Sequence, residues 1–165
     1  MIHIALIEPE IPQNTGNIGR LCVATGSELI LCGKLGFSLD DKYLKRAGLD
    51  YWKKVKLTRV EEVEDLFSLY PADEYTYAVL SKKAETEYTE IPVESGKELL
   101  LIFGRETEGL DEEMLNRYGD YLYRIPTTGD VRSLNLSNAV AVITYDILRR
   151  IDFCGLEKKC LESAR

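Results

Sequence analysis

Histidine is almost missing from this chain: its 165 residues include one, His3. That scarcity removes most histidine-based acid/base and triad chemistry. His3 itself lies inside the apolar stretch HIALI (3–7) and reads as a core residue rather than a catalyst. The cysteines Cys22, Cys32, Cys154 and Cys160 are too scattered to form a CxxC pair, and with one histidine a zinc site has few ligands to draw on. They are expected to be reduced structural thiols, and no metal is expected. Long hydrophobic runs are also missing. The longest, LLLIF (99–103), is far short of a membrane span, and the opening MIHIALIEPE lacks the basic start and cleavage region of a signal peptide. A soluble, cytoplasmic protein with no membrane partner is the expectation.

The common glycine-rich phosphate motifs fail too. NTGNIGRLC (14–22) has GxxG rather than GxGxxG, behind a loop carrying prolines, and GRETEGL (104–110) continues Leu-Asp where a phosphate loop needs Lys-Ser/Thr. Positive charge is in deficit, with 21 Lys and Arg against 28 Asp and Glu for a net charge of −7. By sum this argues against a nucleic-acid partner, because phosphate binding is driven by basic surface. The distribution matters more. Lys42, Lys45, Arg46, Lys53, Lys54, Lys56 and Arg59 face Asp50 alone, while acid gathers in EEVED (61–65) and across 85–98. This local basic face is either an RNA footprint or a solvated surface.

What is present is an ordinary globular balance, 45% hydrophobic and 30% charged, in a length that suits one domain with a sizeable core. Strand and helix alternate. Strands are expected at 3–7, 28–32, 75–80, 98–103 and 121–125. Helices are expected from a cap at Asn14 or Thr15 through Thr25, at 40–48, at 60–70, at 111–119 closed by Gly119, and finally to Arg150. The continuously apolar LLLIF reads as a strand buried on both faces, as in the middle of a parallel sheet. The fold class is therefore α/β, one mostly parallel sheet with helices on both faces. Ligands of such sheets bind beyond the carboxyl ends of the strands. Applied here, the rule selects EPEIPQNTGN, SKK, GRETEG and PTTGDVRSLN, three of them crowded with polar residues. In and just after the last, Ser133, Asn135, Ser137 and Asn138 stand at the mouth of a helix that needs one side-chain cap.

Three segments, NTGNIGRLC (14–22), IFGRETEGL (102–110) and RIPTTGDVRSLNLSNAVAV (124–142), resemble the three ordered motifs of the SPOUT superfamily of AdoMet-dependent RNA methyltransferases. With EPEIPQNTGNIGR and GFSLDDKYLKRAGLDYW they are most similar to its minimal, single-domain branch, the tRNA (cytidine/uridine-34) 2′-O-methyltransferases. The resemblance covers about residues 2 to 155, and the expected layout is a domain over 1–155 and a tail over 156–165.

The resemblance implies a C-terminal trefoil knot, which general topology rules would not have offered, and a homodimer with composite sites. It implies S-adenosyl-L-methionine (AdoMet) as cofactor, held by Gly104, Ile125, Leu134 and Ser133 and by the strand end at Val79 or Leu80. It implies tRNA, through its anticodon stem-loop, as partner, with the wobble ribose of leucine tRNAs as target. Another tRNA position, ribosomal RNA, or a non-catalytic RNA-binding role are the alternatives. Asn14, Ser133 and Asn135 match polar residues around donor and ribose, and Arg20 matches the arginine at the target 2′-hydroxyl. Since arginine is a poor base, Arg20 is expected to bind the adjacent phosphate and stabilise alkoxide charge. Glu106 either orients the ribose or Arg20, or pairs with Arg105 or Arg132. Arg105 and TTGDV (127–131) depart from the family pattern. Lys42, Lys45, Arg46 and Lys53, with Tyr43, Tyr51 and Trp52 among them, are the expected RNA contacts besides Arg20.

Overall fold

The computed structural model describes residues 1–39 and 51–157. The helix expected at 40–48, with Lys42, Tyr43, Lys45 and Arg46, lies outside the described residues, as do Cys160 and most of the tail.

Strands β1 (Ile2–Ile7), β2 (Glu28–Cys32), β3 (Lys56–Val60), β4 (Tyr75–Leu80), β5 (Glu98–Phe103) and β6 (Leu122–Tyr123) form one sheet in the order β3-β2-β1-β5-β4-β6. Every pairing is parallel. As its apolar run requires, β5 lies inside the sheet between β1 and β4. Alternate residues feed two cores, as the two-residue strand period demands. One face joins Ile4, Leu6, Leu29, Leu101 and Phe103 to Ile18 and Cys22 of α1 (Pro12–Thr25) and to Val140, Ile143 and Ile147 of the last helix. The other joins Ala5, Ile30, Val79, Leu100 and Ile102 to Leu66 of α2 (Val63–Leu69) and to Met114 and Leu115 of α3 (Glu112–Arg117). Full burial of each such Leu or Ile stabilises the fold by roughly 1.5–3 kcal/mol.

Several boundaries differ from the expectation. Helix α1 opens two residues before Asn14, with Pro12 in its first turn, and its cap Ile11 makes no side-chain bond; Asn14 is therefore inside the helix and free for another partner. Its end is as expected, with Gly26 left-handed at φ 70. The stretch 56–60 is a strand, so α2 starts only at Val63. At this edge of the sheet Arg59 turns its guanidinium back on the carbonyls of Leu31 and Gly33, which makes it a structural cation rather than a surface one. Helix α3 is capped by Asp111, whose Oδ1 accepts from the Met114 amide at 2.8 Å, and it ends at Tyr118; Gly119 opens a 3-10 turn instead of closing the helix. Of the strand expected at 121–125, Leu122–Tyr123 pair with Val79 and Leu80, and Arg124 adds an isolated parallel bridge to Glu87. Helix α4 (Leu136–Arg150) carries Arg149 and Arg150 in its last turn, which suits the macrodipole.

The GxxG of α1 is a packing surface. A Cβ on Gly19 would sit 2.6 Å from the Trp52 ring, and the Tyr51 hydroxyl donates to the Gly16 carbonyl at 3.1 Å. At the amino ends of the strands, His3 is 2% exposed and holds two carboxylates, Glu28 at 2.6 Å and Glu98 at 2.7 Å. It is a core residue, as expected, but one embedded in a polar network.

Candidate active site

Because all six strands run the same way, their carboxyl ends share one rim. Beyond β4, β5 and β6, and against the start of α4, lies a cavity of about 440 Å³. Leu80, Gly104, Ile125 and Leu134 line it, and so do Asn14, Glu106, Ser133 and Asn135. Eight sequence-selected residues thus meet at one place, from four separate loops. Ile125, Leu136, Ala139 and Ile143 supply apolar wall, and the strand ends supply backbone donors and acceptors.

Glu106 does not pair with Arg105 or Arg132. Its carboxylate accepts from the amides of Glu10 (2.8 Å) and Ile11 (3.3 Å) and from Asn14 Nδ2 (3.0 Å). Asn14 Oδ1 in turn accepts from Asn135 Nδ2 at 3.0 Å, and Asn135 Oδ1 accepts from the Ser137 amide at 3.0 Å, which caps α4. A carboxylate only accepts, so it fixes which way Asn14 points, and Asn14 fixes Asn135. Asn135, rather than Ser137 or Asn138, is the cap, and it serves helix and cavity together.

Gly104 has a reason beyond ligand approach. A Cβ there would lie 2.3 Å from the Gly109 carbonyl carbon and 2.4 Å from the Leu110 nitrogen. The loop folds back on itself through two bonds between the backbones of Arg105 and Gly109, with Gly109 at φ 78. Arg105 pairs instead with Glu8 and Glu108.

Other expected residues lie elsewhere. The Val79 side chain is fully buried in the core on the opposite face, so of the strand-end pair only Leu80 lines the cavity. Arg20 is exposed on α1 with its guanidinium 5.5 Å from the Tyr51 ring centre, outside the cavity lining of this single chain. Lys53 is exposed on a 3-10 turn away from the cavity. Sequence reasoning brought SKK and PTTGDVRSLN to this rim but assigned no ligand contact to Lys82, Lys83, Arg124 or Arg132, which line the cavity together with Thr127. The paired lysines of SKK after β4 were the signal for a basic wall. With Arg105 they outnumber Glu106 and Glu108, giving an acidic protein a locally positive mouth. Arg124 Nε is buried there without a hydrogen-bond partner.

A model of the SpoU rRNA methylase family matches residues 1–145. The chain belongs to the SpoU methylase family. Among its relatives, the tRNA (cytidine(34)-2′-O)-methyltransferase of Saccharophagus degradans is 45% identical over 158 residues, covering 94% of this chain and 99% of the relative. A solved structure described as giving insights into the 2-OH methylation of C/U34 on tRNA superposes with a TM-score of 0.84 at 40% identity, over 93% of this chain and 97% of that one. The AdoMet-bound rRNA methyltransferase of Sinorhizobium meliloti matches at 27% identity and TM-score 0.81, over 91% of this chain and 56% of its own. The cavity at the carboxyl ends of β4–β6 is where the residues singled out by the family resemblance converge.

Proposed function

We propose that this SpoU methylase transfers a methyl group from AdoMet to the ribose 2′-oxygen of the wobble nucleotide, C34 or a modified U34, of leucine tRNAs. One observation carries the reading: Gly104, Ile125 and Leu134 share a single cavity with Asn14, Ser133 and Asn135. A donor pocket alone or a polar RNA groove alone would not need both sets. The 40–45% identities to proteins described for C/U34 support the target.

The lining fits the donor. The apolar wall and strand-end backbone suit adenine, and the volume of about 440 Å³ is in the range of cofactor sites. Held by Leu80, Gly104, Ile125, Ser133 and Leu134, AdoMet would supply an electrophilic sulfonium methyl with a neutral thioether as leaving group, and the ribose hydroxyl would give up its proton to an adjacent phosphate or water. The chain's residues orient rather than attack: the Glu106–Asn14–Asn135 series sets the direction of amide groups at the ribose side. The basic mouth of Lys82, Lys83, Arg124 and Arg132 suits phosphates flanking the target. Arg20, permanently charged, is suited to a phosphate and to developing alkoxide charge.

Because Arg20 stands outside this chain's cavity and Val142 and Tyr145 are exposed on α4, the reading includes a homodimer in which the partner completes each site. It includes the trefoil knot of the SPOUT fold and a cytoplasmic location. Mass mapping of methylated nucleosides in tRNA from a deletion strain tests the target: loss at position 34 of leucine tRNAs is expected, and loss elsewhere in RNA would move the substrate. Calorimetry with AdoMet separates an enzyme from an RNA-binding module, which would give no heat.

A further inference from the structure

In parallel sheets the crevice where strand order reverses is the usual ligand site. Here that point lies between β1 and β5, and the loops that follow these two strands are bonded to each other across it. The loop after β1 (8–11) and the loop after β5 (104–110) are stitched together by three carboxylates. Glu106 accepts from the Glu10 and Ile11 amides, and Glu10 returns the contact, accepting from the Thr107 amide at 3.0 Å and from Thr107 Oγ1 at 2.8 Å. Glu8 accepts from Arg105. On its other side the first loop is fixed to the turn after β2, by the Glu8 amide to the Cys32 carbonyl (2.7 Å) and the Gly36 amide to the Pro9 carbonyl (2.9 Å). A Cβ on Gly36 would come within 2.8 Å of the Glu10 Cα, so the contact is close. Glu8 is held at φ 47, in the left-handed region that a side-chain-bearing residue before proline rarely adopts, and such strain persists where surroundings over-determine it.

We propose that Glu10 and Thr107 are positioning residues for methyl transfer, a role that rests on the function proposed above. Their reciprocal bond holds the Gly104–Leu110 loop on the start of α1, so that Glu106 stays in register as the acceptor for Asn14 and the Asn14–Asn135 pair keeps one orientation. The same loop forms a wall of the donor cavity, so the clamp ties the donor side to the ribose side. Neither side chain needs to touch the reacting atoms. Without the clamp the amides can turn, and catalysis loses alignment before it loses binding.

Thr107→Val removes the hydroxyl donor and keeps the shape, and Thr107→Ser restores it. In Thr107→Val, kcat is expected to fall about tenfold, while KM for tRNA and the AdoMet dissociation constant change by less than about threefold. By NMR, the side-chain amide protons of Asn14 and Asn135 are expected to exchange with water about tenfold faster. Thr107→Ser should recover these values, and Glu10→Gln, which keeps one acceptor oxygen, should lower kcat less than Thr107→Val does. Unchanged amide exchange in Thr107→Val overturns the clamp. So does a fall of kcat, AdoMet affinity and melting temperature together that Thr107→Ser does not repair, because that pattern marks a purely structural contact. Wild-type protein that neither binds AdoMet nor methylates tRNA would refute the proposed function. The amide exchange of Thr107→Val would still decide whether the clamp exists.

Discussion

The two rims of the sheet use carboxylates in opposite ways. At the amino ends of the strands, Glu28 and Glu98 lie on neighbours of β1 and meet His3 between them, with Thr58, Tyr70 and the chain's own ammonium completing the network. At the carboxyl ends, Glu8, Glu10 and Glu106 bind loops to one another and to the first turn of α1. The first set is rooted in strands whose register is already fixed, so it adds stability. The second set connects segments with no regular structure of their own, so it determines geometry. A carboxylate's role here follows from what it holds in place.

Substitutions should separate the rims, with the largest effect at the carboxyl ends. Glu106→Ala frees Asn14 and is expected to lower methyl transfer about a hundredfold in single-turnover assays, with the protein still folded by circular dichroism. Gly104→Ala comes next. Its Cβ must displace the Gly109–Leu110 backbone, with an expected loss of about tenfold or more in AdoMet affinity by calorimetry and about 1–3 kcal/mol in stability.

At the other rim Thr58→Val should leave turnover unchanged and cost about 1 kcal/mol in urea unfolding. The acid dependence sharpens the contrast. Burial raises the Glu28 carboxyl, but bonds from His3 and Thr58 outweigh it and the net shift is down. Glu98 is likewise lowered, against burial, by His3 and the N-terminal ammonium. Groups lowered in the folded state stabilise it above their unfolded values, about 4.3 for glutamate, and lose that contribution as pH falls through the folded value. The melting temperature should therefore be flat above about pH 5 and drop below about 4.3, less steeply in Thr58→Val. Tyr70 stays a donor throughout, since burial and the nearby Glu28 charge push its phenol up to about 12.

The smallest effect concerns thiols. Burial raises Cys22 to about 12 and Cys32 to about 11, whereas Cys154 is exposed. Iodoacetamide at pH 8 should label Cys154 first among these three by peptide mapping, with Cys22 and Cys32 protected until unfolding.

The parallel α/β architecture and the rim that carries the cavity were legible from local pattern, a continuously apolar LLLIF and polar loops at strand ends, whereas the individual cavity residues such as Gly104, Ile125 and Leu134 came from the family resemblance. Strand β3 was hidden because an edge strand half in water carries Lys56 and Arg59, and charge there reads as surface. Asn14 was misplaced as a cap although Pro12 marked the true first turn. The partners of Glu106, and the Glu10–Thr107 contact, span more than 90 residues of sequence. Only the adjacency of β1 and β5 creates them, and no periodicity in the chain announces that adjacency.

Gly96, at φ 93 with open space around it, lies in the exposed turn just before β5, at the end of the sheet remote from the cavity. A fluorophore, affinity tag or surface tether grafted there would point away from any RNA held at the far end. The protein could then be immobilised for single-molecule work with the mouth of its cavity facing solution.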